Sequence, residues 1–111
     1  MKYNVKTIPK FDKQAKTLAK KYPSFKKDLS ELVNVLSENP HTGVLLFENV
    51  YKIRMNITCK KRGKSGGARV IYVNLFEQIS NDELVLIAVY DKSEKSTMTD
   101  NEIIEIIKRE M

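Results

Sequence analysis

A run of basic residues with no acidic neighbour lies between positions 52 and 69. Its seven members are Lys52, Arg54, Lys60, Lys61, Arg62, Lys64 and Arg69. Positive charge that no carboxylate balances is typical of a surface that binds the phosphates of a polyanion. A solvated surface without a role, or a contact for an acidic protein, remains possible on composition alone. Nucleic acid is the interpretation that the spacing favours.

The same stretch contains Gly63-Lys64-Ser65, which resembles the end of a nucleotide-binding P-loop. That loop needs a glycine five positions before its final glycine, and it must open a helix. Position 58 is a threonine, and strand-like patterns lie on both sides of the loop. Without a helix N-terminus the backbone amides do not converge on a phosphate. We therefore expect a hairpin loop here and no bound nucleotide or other cofactor.

Overall composition sets the remaining limits. The chain has 111 residues, a net charge of +6 and a pI near 9.4, which predict one domain, 1–111, with an acidic partner. Cys59 is the single cysteine, so we expect it to be a small strand residue of a cytoplasmic protein. His41 lies in a turn-like segment, and no spacing predicts a metal site. No apolar run is long enough to span a membrane.

Two amphipathic helices are predicted in the first half of the chain. Apolar residues at positions 11, 15, 18, 19 and 22 form one helical stripe after Pro9, and Pro23 ends it. A second stripe begins at Phe25 and stops before Asn39-Pro40. A short strand at 2–8 precedes them.

Strands and a last helix are predicted in the second half. Residues 51–58 alternate between apolar and polar, whereas 69–75 and 83–90 are largely apolar, and 41–50 reads as a loop or weak strand. Thr99 and Glu102 form the capping box of the final helix. The order β-α-α-β-β-β-α with short connections predicts an α+β fold, with helices on a small antiparallel sheet.

Three segments in this order resemble the RelE/ParE superfamily of bacterial type II toxins, closest to the RelE/HigB-like branch. They are YKIRM at 51–55, GKSGGARVIY at 63–72 and VYDKSEK at 89–95. The resemblance covers almost the whole chain. It implies a ribosome-dependent mRNA endonuclease that a cognate antitoxin neutralises, commonly one with a helix-turn-helix DNA-binding domain.

Metal-independent RNA cleavage needs a base for the 2′-hydroxyl, positive charge at the phosphate and an acid for the leaving oxygen. Lysine and arginine can take these roles where no histidine pair exists. Carried over from the family, the candidates are Arg54, Arg69 and Lys92 for chemistry, with Lys52 and Lys95 in support. The loop residues Lys60, Lys61, Arg62 and Lys64 are expected to hold ribosomal RNA.

One departure leaves the acid unassigned, because the segment after position 90 contains lysines and lacks the tyrosine of many RelE members. A ParE-like inhibitor of DNA gyrase, without enzymatic activity, is the main alternative. The basic strands argue against it. An RNA-binding domain that stacks bases on the sheet tyrosines is a third hypothesis.

Overall fold

The computed structural model describes residues 3–60, 67–75 and 83–111. Three helices and five strands lie within these ranges. They are β1 Asn4–Thr7, α1 Pro9–Lys21, α2 Phe25–Glu38, β2 Val44–Phe47, β3 Val50–Met55, β4 Ala68–Asn74, β5 Glu83–Asp91 and α3 Asp100–Glu110. A short 3-10 turn, Thr58–Lys60, follows β3.

The strands form one sheet in the order β1-β5-β4-β3-β2, and the α+β class is confirmed. Neighbouring strands run antiparallel except β1, which pairs parallel with β5 from Asn4 opposite Glu83 onward. The sheet is therefore mixed, and the expectation of a purely antiparallel sheet was wrong for its first strand. The weak segment at 41–50 contributes the edge strand β2.

Side-chain caps and prolines define the ends of the helices as the sequence predicted. Pro9 begins α1, where its missing N–H costs no hydrogen bond. Thr99 and Glu102 form both bonds of the capping box of α3. The hydrogen bond from the Thr99 amide, and after it the hydrogen bond from Lys95, lowers the pKa of the Glu102 carboxyl to about 2.

The open edge of β5 is closed by α1. The strand β1 has four residues and β5 has nine, so β1 cannot pair with the whole of β5. Beyond the end of β1, the side chain of Gln14 accepts a hydrogen bond from the Val89 amide at 3.0 Å. This bond satisfies a backbone donor that would otherwise be orphaned at the sheet edge.

The two faces of the sheet have different characters. One face carries Tyr51 and Tyr72, whose rings stack with centroids 5.2 Å apart. The Tyr72 hydroxyl donates to the Pro40 carbonyl, which links this face to the end of α2. Because side chains alternate along a strand, Arg54 and Arg69 occupy the opposite face.

No helix in the described part of the chain is long and apolar enough to cross a membrane.

The lone thiol is placed differently from the prediction. Cys59 lies in the 3-10 turn rather than in a strand, and it is exposed. The alternation that suggested a strand ends at Met55, because the chain turns there toward the N-terminus of α2. The Cys59 amide donates to the hydroxyl of Ser24 at 3.0 Å.

Candidate nucleic-acid interface

A row of three residues crosses the middle of the sheet. Arg54 of β3 lies opposite Arg69 of β4, and Arg69 lies opposite Tyr90 of β5. Directly opposed residues of antiparallel strands share a face, with Cβ atoms about 5 Å apart. Two like charges opposed in this way destabilise a sheet unless an anion neutralises them. The row is thus arranged to receive negative charge.

Arg69 is the most unusual member of the row because its charge is buried. The residue is only 8% exposed. Its one side-chain hydrogen bond among the described residues runs from Nη1 to the neighbouring Ala68 carbonyl at 3.2 Å, and no described carboxylate pairs with it. A buried guanidinium without a counter-ion is costly. Such a group has the properties expected of an anion-binding site.

Gly67 allows the chain to enter β4 at this position. A Cβ atom there would lie 2.6 Å from the Met55 carbonyl oxygen and 3.8 Å from Nη1 of Arg69. The first distance is too short for any side chain, so the end of β3 and the start of β4 approach closely only because residue 67 is glycine. The Gly67 carbonyl also accepts from the Lys92 amide at 3.0 Å.

The other three predicted catalytic residues are lysines on different elements of the structure. Lys52 shares the strand face of Arg54, two positions away, and is partly buried. Lys92 follows the end of β5 beside Gly67, and its ammonium donates to the Ser96 carbonyl at 2.8 Å. Lys95 pairs instead with Glu102 at 2.9 Å, within the cap of α3. Lys95 nevertheless borders the same cleft as Tyr90, the third residue of the row.

Lys60 points toward the protein interior. Its ammonium lies 3.1 Å from Asp91 and 5.1 Å from the ring centroid of Tyr22. The side chains of Lys60 and Asp91 are 15% and 0% exposed. The Lys60 ammonium is thus paired within the protein, and its predicted contact with ribosomal RNA stays a prediction. The other three, Lys61, Arg62 and Lys64, lie outside the described residues.

Asp91 joins three segments of the chain, and sequence reasoning missed it. Besides Lys60, it accepts from the Tyr22 hydroxyl at 2.5 Å and from both the amide and the hydroxyl of Ser93. Burial alone raises the pKa of Asp91, but these hydrogen bonds outweigh it and hold the pKa well below its usual range. The carboxylate fixes the turn that carries Lys92.

A second buried carboxylate anchors the other side of the 52–69 stretch. Asp28 of α2 accepts from the amide and hydroxyl of Thr58, at 2.9 and 2.6 Å, and from Ser24 at 2.8 Å. Burial raises the pKa of Asp28, and the bonds from Thr58 and Ser24 lower it further than burial raises it. The segment that leads into the basic loop is thereby tied to α2.

The sheet tyrosines cannot stack bases in this structure. Tyr51, Tyr72 and Tyr90 are 6%, 0% and 6% exposed. Tyr51 and Tyr72 belong to a cluster with His41, whose Nδ1 lies 2.8 Å from the Tyr51 hydroxyl. Burial raises the pKa of Tyr72. The hypothesis that RNA bases stack on the sheet tyrosines is therefore not supported, because none of these three rings is exposed.

Tyr90 was not singled out by the sequence as a site residue. Its hydroxyl is buried and has no hydrogen-bond partner among the described residues. It borders a cleft of about 510 Å³ between α1 and α3, together with Lys95, Gln14 and Glu102. A buried hydroxyl opposite a buried guanidinium, neither with a carboxylate partner in the described ranges, needs an explanation. The described residues include no group of His, Cys, Asp and Glu side chains that could hold a metal ion.

A helical hairpin and a C-terminal helix pack on a mixed five-stranded sheet, an arrangement that a solved structure shares. A double arginine-to-alanine mutant of the E. coli toxin RelE, solved in the free state, is similar to this chain with a TM-score of 0.63. The two share 17% sequence identity, and the match covers 98% of each chain. No family model and no curated protein matches the sequence. The similarity establishes the fold.

Proposed function

We propose that this protein is the toxin of a bacterial type II toxin–antitoxin pair and cleaves mRNA on the ribosome in the cytoplasm. The observation that carries the proposal is the buried guanidinium of Arg69, which has no described carboxylate partner and lies opposite Arg54. A scissile phosphate supplies the missing negative charge. The RelE-like fold supports the same activity, and a cognate antitoxin, with a helix-turn-helix domain, is the expected protein partner.

The proposed reaction uses groups of this chain alone. The 2′-hydroxyl oxygen attacks the adjacent phosphorus and loses its proton to a base, while the bond to the 5′ oxygen breaks and that oxygen gains a proton. The products are a 2′,3′-cyclic phosphate and a 5′-hydroxyl. Arg69 and Arg54 stabilise the charge that develops on the phosphate oxygens. Lys52 and Lys92 are the two candidates for the base, since both lie beside the arginine row.

The activity is tested by adding purified protein to a reconstituted translation system and mapping mRNA ends by primer extension. We expect new 5′ ends within the ribosomal A site, and no cleavage of the same mRNA without ribosomes. A DNA supercoiling assay with gyrase is run in parallel. Inhibition of gyrase with intact mRNA would identify the ParE-like alternative and overturn the proposal.

Tyr90 supplies the acid that the sequence left unassigned. We expect Tyr90→Phe to lower the cleavage rate about a hundredfold, the range of a lost proton donor. Stability should stay unchanged or rise, because the hydroxyl that is removed is buried and has no partner in the part of the chain that the structure describes. Single-turnover cleavage and urea unfolding of the same preparation measure the two effects. A variant with full activity, or one that is clearly destabilised, contradicts this role.

Tyr72→Phe is the matched control, since it also removes one buried hydroxyl from the sheet. The Tyr72 hydroxyl donates to the Pro40 carbonyl and accepts from the Gly43 amide. Its loss should cost about 1–3 kcal/mol of stability and leave the cleavage step unaffected. The two variants are therefore expected to respond in opposite ways.

A further inference from the structure

A cleft continues the arginine row beyond its last member. Arg54, Arg69 and Tyr90 lie side by side on β3, β4 and β5, and Tyr90 also borders the cleft of about 510 Å³ between α1 and α3. The cleft therefore begins where the row that is proposed to bind the scissile phosphate ends. Its volume lies in the range of sites that bind small organic molecules.

The charges that line the cleft suit a neutral ligand better than a second phosphate. Among the described residues, three basic and three acidic side chains line it, so their charges balance. Lys95 and Glu102, one of each kind, already pair with each other at 2.9 Å. A phosphate requires unbalanced positive charge, which Arg54 and Arg69 supply at the row.

Apolar and hydrogen-bonding groups both line the cleft. Met98 and Ile106 provide apolar surface, against which the flat face of a base can pack. The carboxamide oxygen of Gln14 accepts from the Val89 amide, which leaves the NH2 group of the same side chain as a donor. The Tyr90 hydroxyl is buried and has no partner among the described residues. A nucleoside, which has an apolar face and a polar edge, matches both kinds of surface.

The proposed reaction determines which nucleoside of the RNA lies in the cleft. The attacking 2′ oxygen and the leaving 5′ oxygen lie on opposite sides of the phosphorus atom. Tyr90 is the proposed proton donor to the leaving oxygen, so the nucleoside that carries this oxygen lies on the Tyr90 side of the row. The nucleotide that supplies the 2′-hydroxyl then lies on the Arg54 side.

We propose that the cleft between α1 and α3 receives the nucleoside that follows the scissile phosphate, so that the RNA strand runs 5′ to 3′ across the sheet from β3 to β5. Lys10 lies four residues before Gln14 on the same side of α1, and it holds the next phosphate at the rim of the cleft. Lys10 is exposed and forms no ion pair within the described ranges. The proposal rests on the proposed ribonuclease function and adds to it the direction and position of the RNA.

Photo-cross-linking of the full chain on programmed ribosomes tests this direction. The mRNA lacks the 2′-hydroxyl before the scissile phosphate, so it is not cleaved, and it carries 4-thiouridine either before or after that phosphate. Mass spectrometry of tryptic peptides locates each cross-link. We expect the following nucleotide to cross-link to α1 or to residues 95–106, and the preceding one to β3. The reverse pattern, or no cross-link of the following nucleotide to either segment, overturns the proposal.

Cleavage of the unmodified mRNA is measured with the same preparation. Its absence overturns the ribonuclease function and this proposal together. Normal cleavage with the reverse cross-links overturns this proposal alone.

Matched variants of α1 give a second readout. Lys10→Ala should raise the half-saturating concentration of programmed ribosomes about fivefold and leave the maximal cleavage rate unchanged, because Lys10 contacts RNA beyond the leaving nucleoside. Lys13→Ala removes a lysine that is also exposed on α1 and does not line the cleft, so it should change neither value. Equal effects of the two substitutions, or no effect of Lys10→Ala, refute this path for the RNA.

Discussion

Replacing Arg69 with alanine is expected to lower the rate of mRNA cleavage about a thousandfold. Enzymes lose a similar factor when one preorganised group that stabilises the developing charge is removed from the active site. Arg69 is 8% exposed, and among the described residues its guanidinium makes one hydrogen bond, to the Ala68 carbonyl. It therefore contributes little that holds the described part of the fold together, and a buried charge that no described carboxylate pairs with opposes folding. The melting temperature of Arg69→Ala should equal or exceed that of the wild type.

Two further variants separate charge from geometry. Arg69→Lys keeps the positive charge and loses the planar fork that fits a phosphate, so we expect only partial recovery of cleavage. Arg109→Ala removes an arginine that is 78% exposed on α3 and should cleave like the wild type. Single-turnover primer extension on programmed ribosomes measures all three. Full activity of Arg69→Ala would show that the phosphate is bound elsewhere.

The second large effect is expected on stability. Asp91→Asn removes a buried carboxylate from Lys60, Tyr22 and Ser93, and leaves the ammonium of Lys60 buried without its partner. Breaking a buried ion pair on one side costs about 3 kcal/mol. Urea unfolding at pH 7 measures this loss. Glu94→Gln is the control, because Glu94 forms an exposed pair with Lys21 that contributes little.

The stability difference between the wild type and Asp91→Asn should depend on pH in one direction. The pKa of Asp91 is lower in the folded protein than its ordinary value of 3.8. Its stabilising contribution is therefore complete above about pH 5 and is lost as the pH falls below the ordinary value. The difference in free energy of unfolding between the two proteins should be the same at pH 7 and pH 5, and smaller at pH 3. A gap that is unchanged at pH 3 contradicts the role of this carboxylate.

Local patterns predicted most of the fold. The stripe that includes Phe11 and Leu18 identified α1, and the T-x-x-E pattern at Thr99 identified the start of α3. These signals lie within a few residues of one another, so the sequence contains them directly. The alternation around Arg54 also predicted which face of β3 carries charge.

The edge strand β2 had no such signal. Its residues, 44–47, are uniformly apolar and do not alternate, although Val44 and Leu45 are exposed. The tight turn into β3 contains Glu48 with φ of 43°, where glycine or asparagine is usual. A hairpin closed by glutamate in the left-handed region cannot be recognised from residue types.

The candidate site was only partly predictable for a different reason. Opposed positions such as Arg54 and Arg69 follow from a hairpin, and their proximity could be anticipated. The pairing of Lys60 with Asp91 spans 31 residues. Tyr22, whose hydroxyl also donates to Asp91, lies at the end of α1. In the sequence Lys60 has no nearby carboxylate, because only the tertiary fold brings Asp91 to it.

The position of β5 in the sheet has a consequence for the order in which the sheet forms. This strand lies between β4, the strand that precedes it in the chain, and β1, the first strand. The pairing of Asn4 with Glu83 closes a loop of most of the chain, and the entropy of that loop must be lost before the contact forms. We therefore expect β3, β4 and β5 to pair first, and β1 to join the edge of β5 last.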